Sequence, residues 1–367
     1  MKAKRIIGIV TLVMTLFCFL VPAAFAEEAG SGYMLTCVRT EGADGSYIDC
    51  PVLTGGSAEV CEKVNALICE NAMLARYEST LAGISGGSGL RVSYTANTAP
   101  DGICPEVLSI LICADGRQPQ GRPGTVYYTV NADLATGGEI FFSALCNDME
   151  AAEAFLDEYA ETVGDNTISD YMENRELVPV PTEHWVLDGC GHIVILYEKD
   201  AFSFLSGQPG SFAFSPEAAK DVFDLSDGGV LSRARCEGKV CLPLTLPGKD
   251  AQAVLEAYRS PLDSFFFDGG EMYLTEEPLL RGAYLIMDDT GERIKAVLMT
   301  EVFPAGLIAG ETGREEIGGL SDGRNAEESI TDTVENACVA LDGECEGVKC
   351  VYYFDADGLL CALLALE

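Results

Sequence analysis

The stretch YMLTCVRTEGADGSYIDCPVLTGGSAEVCEKVNALI, residues 33–68, sets the architecture of the first half of the chain. Its runs 33–39 and 47–52 are rich in strand-forming residues and flank the turn sequence at 41–45, so this order predicts a β-hairpin. A helical pattern follows and predicts one helix from about 57 to 82. Its apolar stripe consists of Val60, Val64, Leu67 and Ile68.

Strand and helix patterns continue beyond residue 90 as hairpins with a few marked helices. Alternating apolar runs predict strands at 90–95, 107–113, 125–130, 185–187 and 193–197. Helices are predicted from Asn147, which has Glu150 three residues later, and from Ser215, which precedes Pro216. Because the strands are not separated by regular crossover helices, we expect an α+β fold, with an antiparallel sheet packed against helices.

A turn-rich segment places a domain boundary near 230–245, which predicts an α+β domain at 27–235 and a smaller α+β domain at 240–367. The second domain carries a weak internal repeat, 240–303 and 304–367. In each repeat a candidate helix, near 250–259 or 326–340, precedes a hairpin, 283–299 or 351–364. Chance similarity between two aspartate- and glycine-containing turns is an equally good explanation.

The charge balance limits the classes of partner. The 367 residues include 23 Lys and Arg against 58 Asp and Glu, a formal charge of -35. Nucleic acid and anionic lipid both require a cationic face, so neither is an expected ligand. Two histidines and one tryptophan leave little material for imidazole metal sites or stacking platforms. No cofactor and no metal ion is predicted.

Residues 1–26 have the pattern of a secretory signal peptide. Lys2, Lys4 and Arg5 precede the apolar run 6–20, and Ala24-Phe25-Ala26 forms a small-x-small cleavage pattern before Glu27. An uncleaved anchor helix is the alternative. No later segment is predicted to span a membrane, so we expect a secreted, extracytoplasmic protein.

Fourteen cysteines remain after the signal segment, an even number in a chain predicted to enter an oxidising compartment. The hairpin predicts a Cys37–Cys50 disulfide, and two short loops predict Cys236–Cys241 and Cys345–Cys350. Buried free thiols are the alternative reading. Zinc ribbons are excluded because the chain contains no C-x-x-C pair.

Three motifs bear on catalysis or ion binding. Gly83-Ile84-Ser85-Gly86-Gly87 matches G-x-S-x-G, but a helix precedes the serine where the hydrolase elbow needs a strand. Cys190-Gly191-His192 brings a thiol near an imidazole, although its glycines are typical of a hairpin turn. Asp355-Ala356-Asp357-Gly358 lacks the spacing of a calcium loop. No catalytic residue is assigned, and an enzyme is the less favoured reading.

Residues 33–225 resemble the paired extracytoplasmic domains of unknown function of the DUF3298 and DUF4163 type. The resemblance rests on segments 48–53, 64–68, 108–110, 131–137 and 143–145, and on Asp188-Gly189 through 195–198. Such domains occur in lysozyme-sensing anti-sigma factors of the RsiV type and beside the catalytic domain of PdaC-type peptidoglycan deacetylases. The chain departs from the pattern at 115–124, which has no histidine, and at Ala144, where an aspartate is expected.

The resemblance implies a noncatalytic binding or sensing module. Its partner would be a cationic extracellular protein such as a lysozyme, or cell-wall peptidoglycan, and the strong negative charge favours the cationic protein. A secreted cell-wall hydrolase and a structural envelope component are the alternatives. Acidity that serves only solubility is a further explanation of the charge.

Overall fold

The computed structural model describes residues 32–42, 45–83, 89–99, 102–116, 118–119, 124–163, 180–197, 210–235, 241–257, 263–267, 270–275, 277–280, 282–301, 303–304, 306–321, 323–334 and 336–367. The signal-peptide prediction for 1–26 lies outside these residues. Among the helices that are described, none has the length and apolar character needed to cross a membrane.

Six strands form the first sheet, and they lie side by side in sequence order. All neighbours are antiparallel except β2 and β3, which are parallel because the chain crosses over through two helices. The hairpin predicted at residues 33–52 is confirmed. The strands are β1 (Tyr33–Glu41), β2 (Tyr47–Gly55), β3 (Arg91–Ala96), β4 (Val107–Asp115), β5 (Val126–Asp133) and β6 (Gly138–Glu139).

The first helical region consists of α1 (Ala58–Asn71) and α2 (Leu74–Gly83), where the sequence predicted one helix. The interruption lies at Met73, which has a left-handed backbone with φ of 50°. Asn65 fixes α1 on β2, because its side chain accepts a hydrogen bond from the Leu53 N–H (2.8 Å) and donates one to the Leu53 carbonyl (3.0 Å). Buried Val60, Val64 and Ile68 face the sheet.

Strand β4 separates two cores. Leu108, Ile110 and Ile112 pack with the apolar stripe of α1, whereas Leu111 packs against the second sheet. This alternation explains why the strand reads as a continuous apolar run, since both of its faces are covered.

The second sheet has three antiparallel strands, β7 (Trp185–Leu187), β8 (Ile193–Leu196) and β9 (Ser211–Phe214). Helix α3 (Met149–Val163) packs on it and confirms the helix predicted from Asn147. The helix predicted after Ser215 is a single 3-10 turn, Pro216–Ala219. Helix α4 (Val230–Arg233) closes the same core.

The third sheet has eight strands in the order β10-β11-β12-β13-β17-β16-β15-β14. Both predicted hairpins are confirmed, and they meet where β13 pairs antiparallel with β17. Segments 240–303 and 304–367 therefore share one sheet. The strands are β10 (Asp263–Phe267), β11 (Gly270–Leu274), β12 (Ala283–Met287), β13 (Ile294–Met299), β14 (Arg324–Asn325), β15 (Val339–Cys345), β16 (Val348–Phe354) and β17 (Leu360–Leu366).

Of the two helices predicted within residues 240–367, one is confirmed and the other is wrong. Helix α5 (Ala251–Ala257) lies within the predicted 250–259. The helix predicted at 326–340 is wrong, because only α6 (Glu328–Thr331) is helical and Val339 already begins β15. Seven consecutive residue pairs with β16 fix this strand, which outweighs the local helical preference. With three sheets and few helices, the predicted α+β class is confirmed.

Candidate functional site

A cavity of about 530 Å³ lies between α3, the second sheet and segment 300–311. We call it the His192 pocket. Phe155, Tyr159, Phe303, Leu307 and Ile308 form the apolar part of its wall. The polar part consists of His192, Ser215, Thr300, Glu158, Glu301 and Glu311. An apolar wall with a few polar groups is the usual composition of a ligand pocket.

Helix α3 brings two aromatic rings to the pocket. Phe155 and Tyr159 are four residues apart and therefore share one face of the helix, with ring centroids 5.6 Å apart. Each ring lies 5.4 Å from the ring of Phe214 on β9. Asp148 caps the helix, accepting hydrogen bonds from the N–H groups of Glu150 (3.0 Å) and Ala151 (3.2 Å).

The turn between β7 and β8 holds His192 in place. Asp188 Oδ1 accepts hydrogen bonds from the backbone N–H groups of Cys190 (2.9 Å) and His192 (2.8 Å). Asp188 Oδ2 lies 2.7 Å from His192 Nδ1. Only 2% of His192 is exposed, and its ring lies near the backbone of Phe303. One imidazole thus joins the second sheet to the segment after β13.

The protonation of His192 follows from these contacts. Burial works against the charged imidazole, but the negative charge and hydrogen bond of Asp188, with Glu217 and the Phe303 backbone, outweigh it. The pKa of His192 is therefore raised above its ordinary value of 6.5. A ring that is buried and held by Asp188 in this way is a structural link between the β7–β8 turn and the pocket wall.

A disulfide joins Cys190 in this turn to Cys241, with 5.1 Å between the Cα atoms. The predicted Cys236–Cys241 bridge is therefore wrong at Cys241, whose partner lies 51 residues away; Cys236 is outside the described residues. Glu346 accepts a hydrogen bond from the Cys241 N–H (2.9 Å). Burial, reinforced by the charge of Asp188, raises the pKa of Glu346.

Arg235 lies against the same turn. Its guanidinium pairs with Glu217, whose other carboxylate oxygen accepts a hydrogen bond from Ser215 Oγ (2.5 Å). Gly191 has φ of 91°, and a Cβ atom there would collide with the Arg235 guanidinium. Glycine is therefore required at 191, as the turn reading of Cys190-Gly191-His192 implied.

The arrangement does not provide a cysteine nucleophile. The Cys190 sulfur is bonded to Cys241, so it has no thiolate to attack with. Asp188, Cys190 and His192 are the one group in the described part of the chain whose potential ligand atoms cluster as a metal site would need, within 4.8 Å. Their donors are already engaged in the disulfide and the hydrogen bonds described above, so a metal ion does not fit the oxidised turn.

The structure also corrects the other two predicted disulfides. Cys37 pairs with Pro51 and Cys50 with Val38, one residue away from the predicted register. Adjacent residues point to opposite faces of a strand, so Cys37 and Cys50 are separate free thiols. Cys345 and Cys350 share a face but sit diagonally, opposite Val348 and Gly343, and remain unbonded.

The remaining sequence motifs do not converge on the pocket. Ser85 lies outside the described residues, as do 117 and 120–123 of the loop 115–124. Asp355 Oδ1 accepts hydrogen bonds from the N–H groups of Asp357 (3.0 Å) and Leu359 (2.9 Å), so it stabilises its own turn. Sequence reasoning missed Phe303, Leu307 and Ile308, because a loop has no periodicity that reveals which residues meet a distant helix.

Neither the protein-family models nor the curated proteins include a match to the chain. Among solved structures, the chain is similar to a DUF3298 family member from Bacteroides fragilis NCTC 9343, at 12% identity and a TM-score of 0.36 over 56% of this chain and 99% of that one. A DUF3298 family protein from Pseudomonas aeruginosa PAO1 is 13% identical to this chain, with a TM-score of 0.37 over 55% of this chain and 97% of that one. These structure neighbours thus belong to the DUF3298 family that residues 33–225 resemble, at low identity over about half of this chain.

Proposed function

We propose that this protein is an exported, noncatalytic binding protein, and that the His192 pocket receives a cationic side chain of an extracellular protein such as a lysozyme-type enzyme. The observation that carries the proposal is the meeting of two aromatic rings, Phe155 and Tyr159, with three glutamates in one cavity. A cationic side chain with an apolar stem is attracted to the rings by cation–π interaction and to the glutamates by ionic interaction.

The charge of the whole chain supports the same class of partner. A formal charge of -35 attracts cationic proteins from solution and raises their rate of encounter. The resemblance to DUF3298-type domains supports a muramidase as the cationic partner, because lysozyme-sensing proteins with such domains bind one. A noncatalytic role agrees with the disulfide at Cys190 and with the burial of His192 against Asp188.

A titration with lysozyme at low and near-physiological salt tests the proposal. The informative variant is Glu158→Gln/Glu301→Gln/Glu311→Gln, which removes three charges from the pocket. Its control, Glu41→Gln/Glu292→Gln/Glu344→Gln, removes three charges from exposed positions elsewhere. We expect the pocket variant to bind about tenfold more weakly, or about 1.4 kcal/mol, and the control to change little at physiological salt.

Other outcomes would contradict the proposal. Equal weakening by both variants, or binding only at low salt, would mean general charge attraction. Cleavage of peptidoglycan by the purified protein would establish the hydrolase alternative. Export is tested separately by N-terminal sequencing of the secreted product, which should begin at Glu27; retention of Met1 in the membrane would support the anchor.

A further inference from the structure

The thiols of Cys50 and Cys69 meet across the interface between strand β2 and helix α1. Cys50 lies near the middle of β2, and Cys69 lies in the last turn of α1. The two thiols interact with each other, and both residues are half-buried beside the first core. No sequence pattern paired them, because one lies on a strand and the other on a helix.

The local fold holds these two residues together. Gly55 and Gly56 both have positive φ and turn the chain so that α1 runs back along β2. The Asn65–Leu53 hydrogen bonds then fix the alignment of the helix on the strand. One helical turn forward from Asn65 reaches Cys69, while three residues back from Leu53 reach Cys50. The contact between the thiols is thus set by backbone packing.

Neighbouring cysteines do not compete for either thiol. Cys37 projects from the other face of the hairpin, beside Asp49. Cys61 is two helical turns before Cys69, and its thiol donates to the Gly55 carbonyl (3.0 Å). Cys69 is therefore the cysteine placed to pair with Cys50.

We propose that Cys50 and Cys69 form a disulfide in the exported protein and fasten α1 to β2. The oxidant is an external disulfide. The Cys69 thiolate attacks one of its sulfurs and displaces the other half as a thiolate. Cys50 then loses its proton, attacks the Cys69 sulfur of the mixed disulfide and displaces the second half. Two protein thiols become one disulfide, and the external disulfide is reduced to two thiols.

The opposite pKa shifts of the two thiols support these two roles. The interaction with Cys50 lowers the pKa of Cys69, whereas the interaction with Cys69 and burial raise the pKa of Cys50. Cys69 is thus the first thiol to react. The proposal does not depend on a ligand in the His192 pocket.

The test is peptide mapping of the full chain, oxidised with glutathione disulfide, alkylated and digested without reductant. We expect the peptide with Cys50 to be linked to the peptide with Cys69, and the linkage between Cys190 and Cys241 serves as the internal control for oxidation. Cys37→Ser should retain the Cys50–Cys69 linkage. Cys50→Ser should leave Cys69 open to alkylation or to glutathione.

Two results would overturn the proposal. One is a linkage of Cys50 to Cys37. The other is full alkylation of Cys50 and Cys69 in protein whose Cys190–Cys241 bridge has formed. Both results come from the wild-type chain, so neither depends on a variant that fails to fold.

Discussion

Asn131 donates a hydrogen bond of 2.8 Å from its side-chain amide to the backbone carbonyl of Trp185, which joins the first sheet to the second. Its side-chain oxygen accepts a bond of 2.5 Å from Ser109 Oγ, which in turn accepts one of 2.7 Å from the Leu187 N–H. All of these atoms lie in a dry interior, where an unpaired polar group is costly. The two sheets are thus coupled by directional bonds as well as by apolar packing.

Replacing Asn131 by alanine should lower the free energy of unfolding by about 2–3 kcal/mol, because the Trp185 carbonyl and the Ser109 hydroxyl lose their partner in the interior. Urea unfolding measures the change. Asn71→Ala is the control, since Asn71 bonds Glu139 near the surface and its loss should change stability by about 0.5 kcal/mol or less. If both variants lower the free energy of unfolding equally, the buried Asn131 bonds stabilise the fold no more than a surface hydrogen bond does.

Removing the Cys190–Cys241 bridge with Cys190→Ser/Cys241→Ser should lower the free energy of unfolding by about 4 kcal/mol, because the bridge closes a loop with a sequence separation of 51 residues. The double substitution avoids a stray thiol. Denaturant unfolding without reductant gives the value. If the wild type shows the same stability before and after reduction, this bridge does not stabilise the fold.

The His192–Asp188 pair should make stability depend on pH. The pKa of His192 is raised in the folded state, so the stabilisation is complete below the unfolded value of 6.5 and is lost as the pH rises through the folded value. We therefore expect the free energy of unfolding to fall above pH 6.5. Asp188→Asn should remove this slope and destabilise the protein near pH 6.5 by about 3 kcal/mol.

The other histidine provides the control for this prediction. His184→Gln retains the Asp188–His192 contact and should keep the pH dependence of the wild type. If the free energy of unfolding of Asp188→Asn depends on pH as it does in the wild type, other groups cause this dependence. That result would contradict a role for the His192–Asp188 pair.

Asn65→Ala should lower the free energy of unfolding by about 1–3 kcal/mol, because the Leu53 N–H and carbonyl both lose their partner. Hydrogen exchange of the Leu53 amide should accelerate in the variant more than exchange of β4 amides. Uniform acceleration throughout the first sheet would mean that Asn65 supports global stability and has no specific role in aligning α1.

The sequence predicted elements well where periodicity and turn chemistry agreed. The β1–β2 and β12–β13 hairpins and helix α3 were found because residues close in sequence decide each of them. The helix over 57–82 was too long because its apolar stripe continues through Met73, whose left-handed backbone has no signature in a nonglycine residue. At Val339 a ladder with a distant strand overrode the local pattern.

The site was predicted less well, for reasons of distance and register. Cys190–Cys241 joins the β7–β8 turn to a residue 51 positions later, just before the 3-10 turn Leu242–Thr245, so short-loop arguments could not find it. The predicted Cys37–Cys50 contact failed because the hairpin loop centres one position later than predicted, which reverses the face of one side chain. Composition and resemblance suggested the class of partner, but only the packing of α3 against segment 300–311 showed a pocket.

The position of β17 bears on the order of folding during synthesis. This strand follows β10 to β16 in the sequence, yet it lies between β13 and β16 in the middle of the eight-stranded sheet. Until residues 360–366 leave the ribosome, β10–β13 and β14–β16 are two half-sheets with open inner edges. Such edges pair readily with other chains, so a chaperone that shields them has its greatest effect just before β17 joins the two halves.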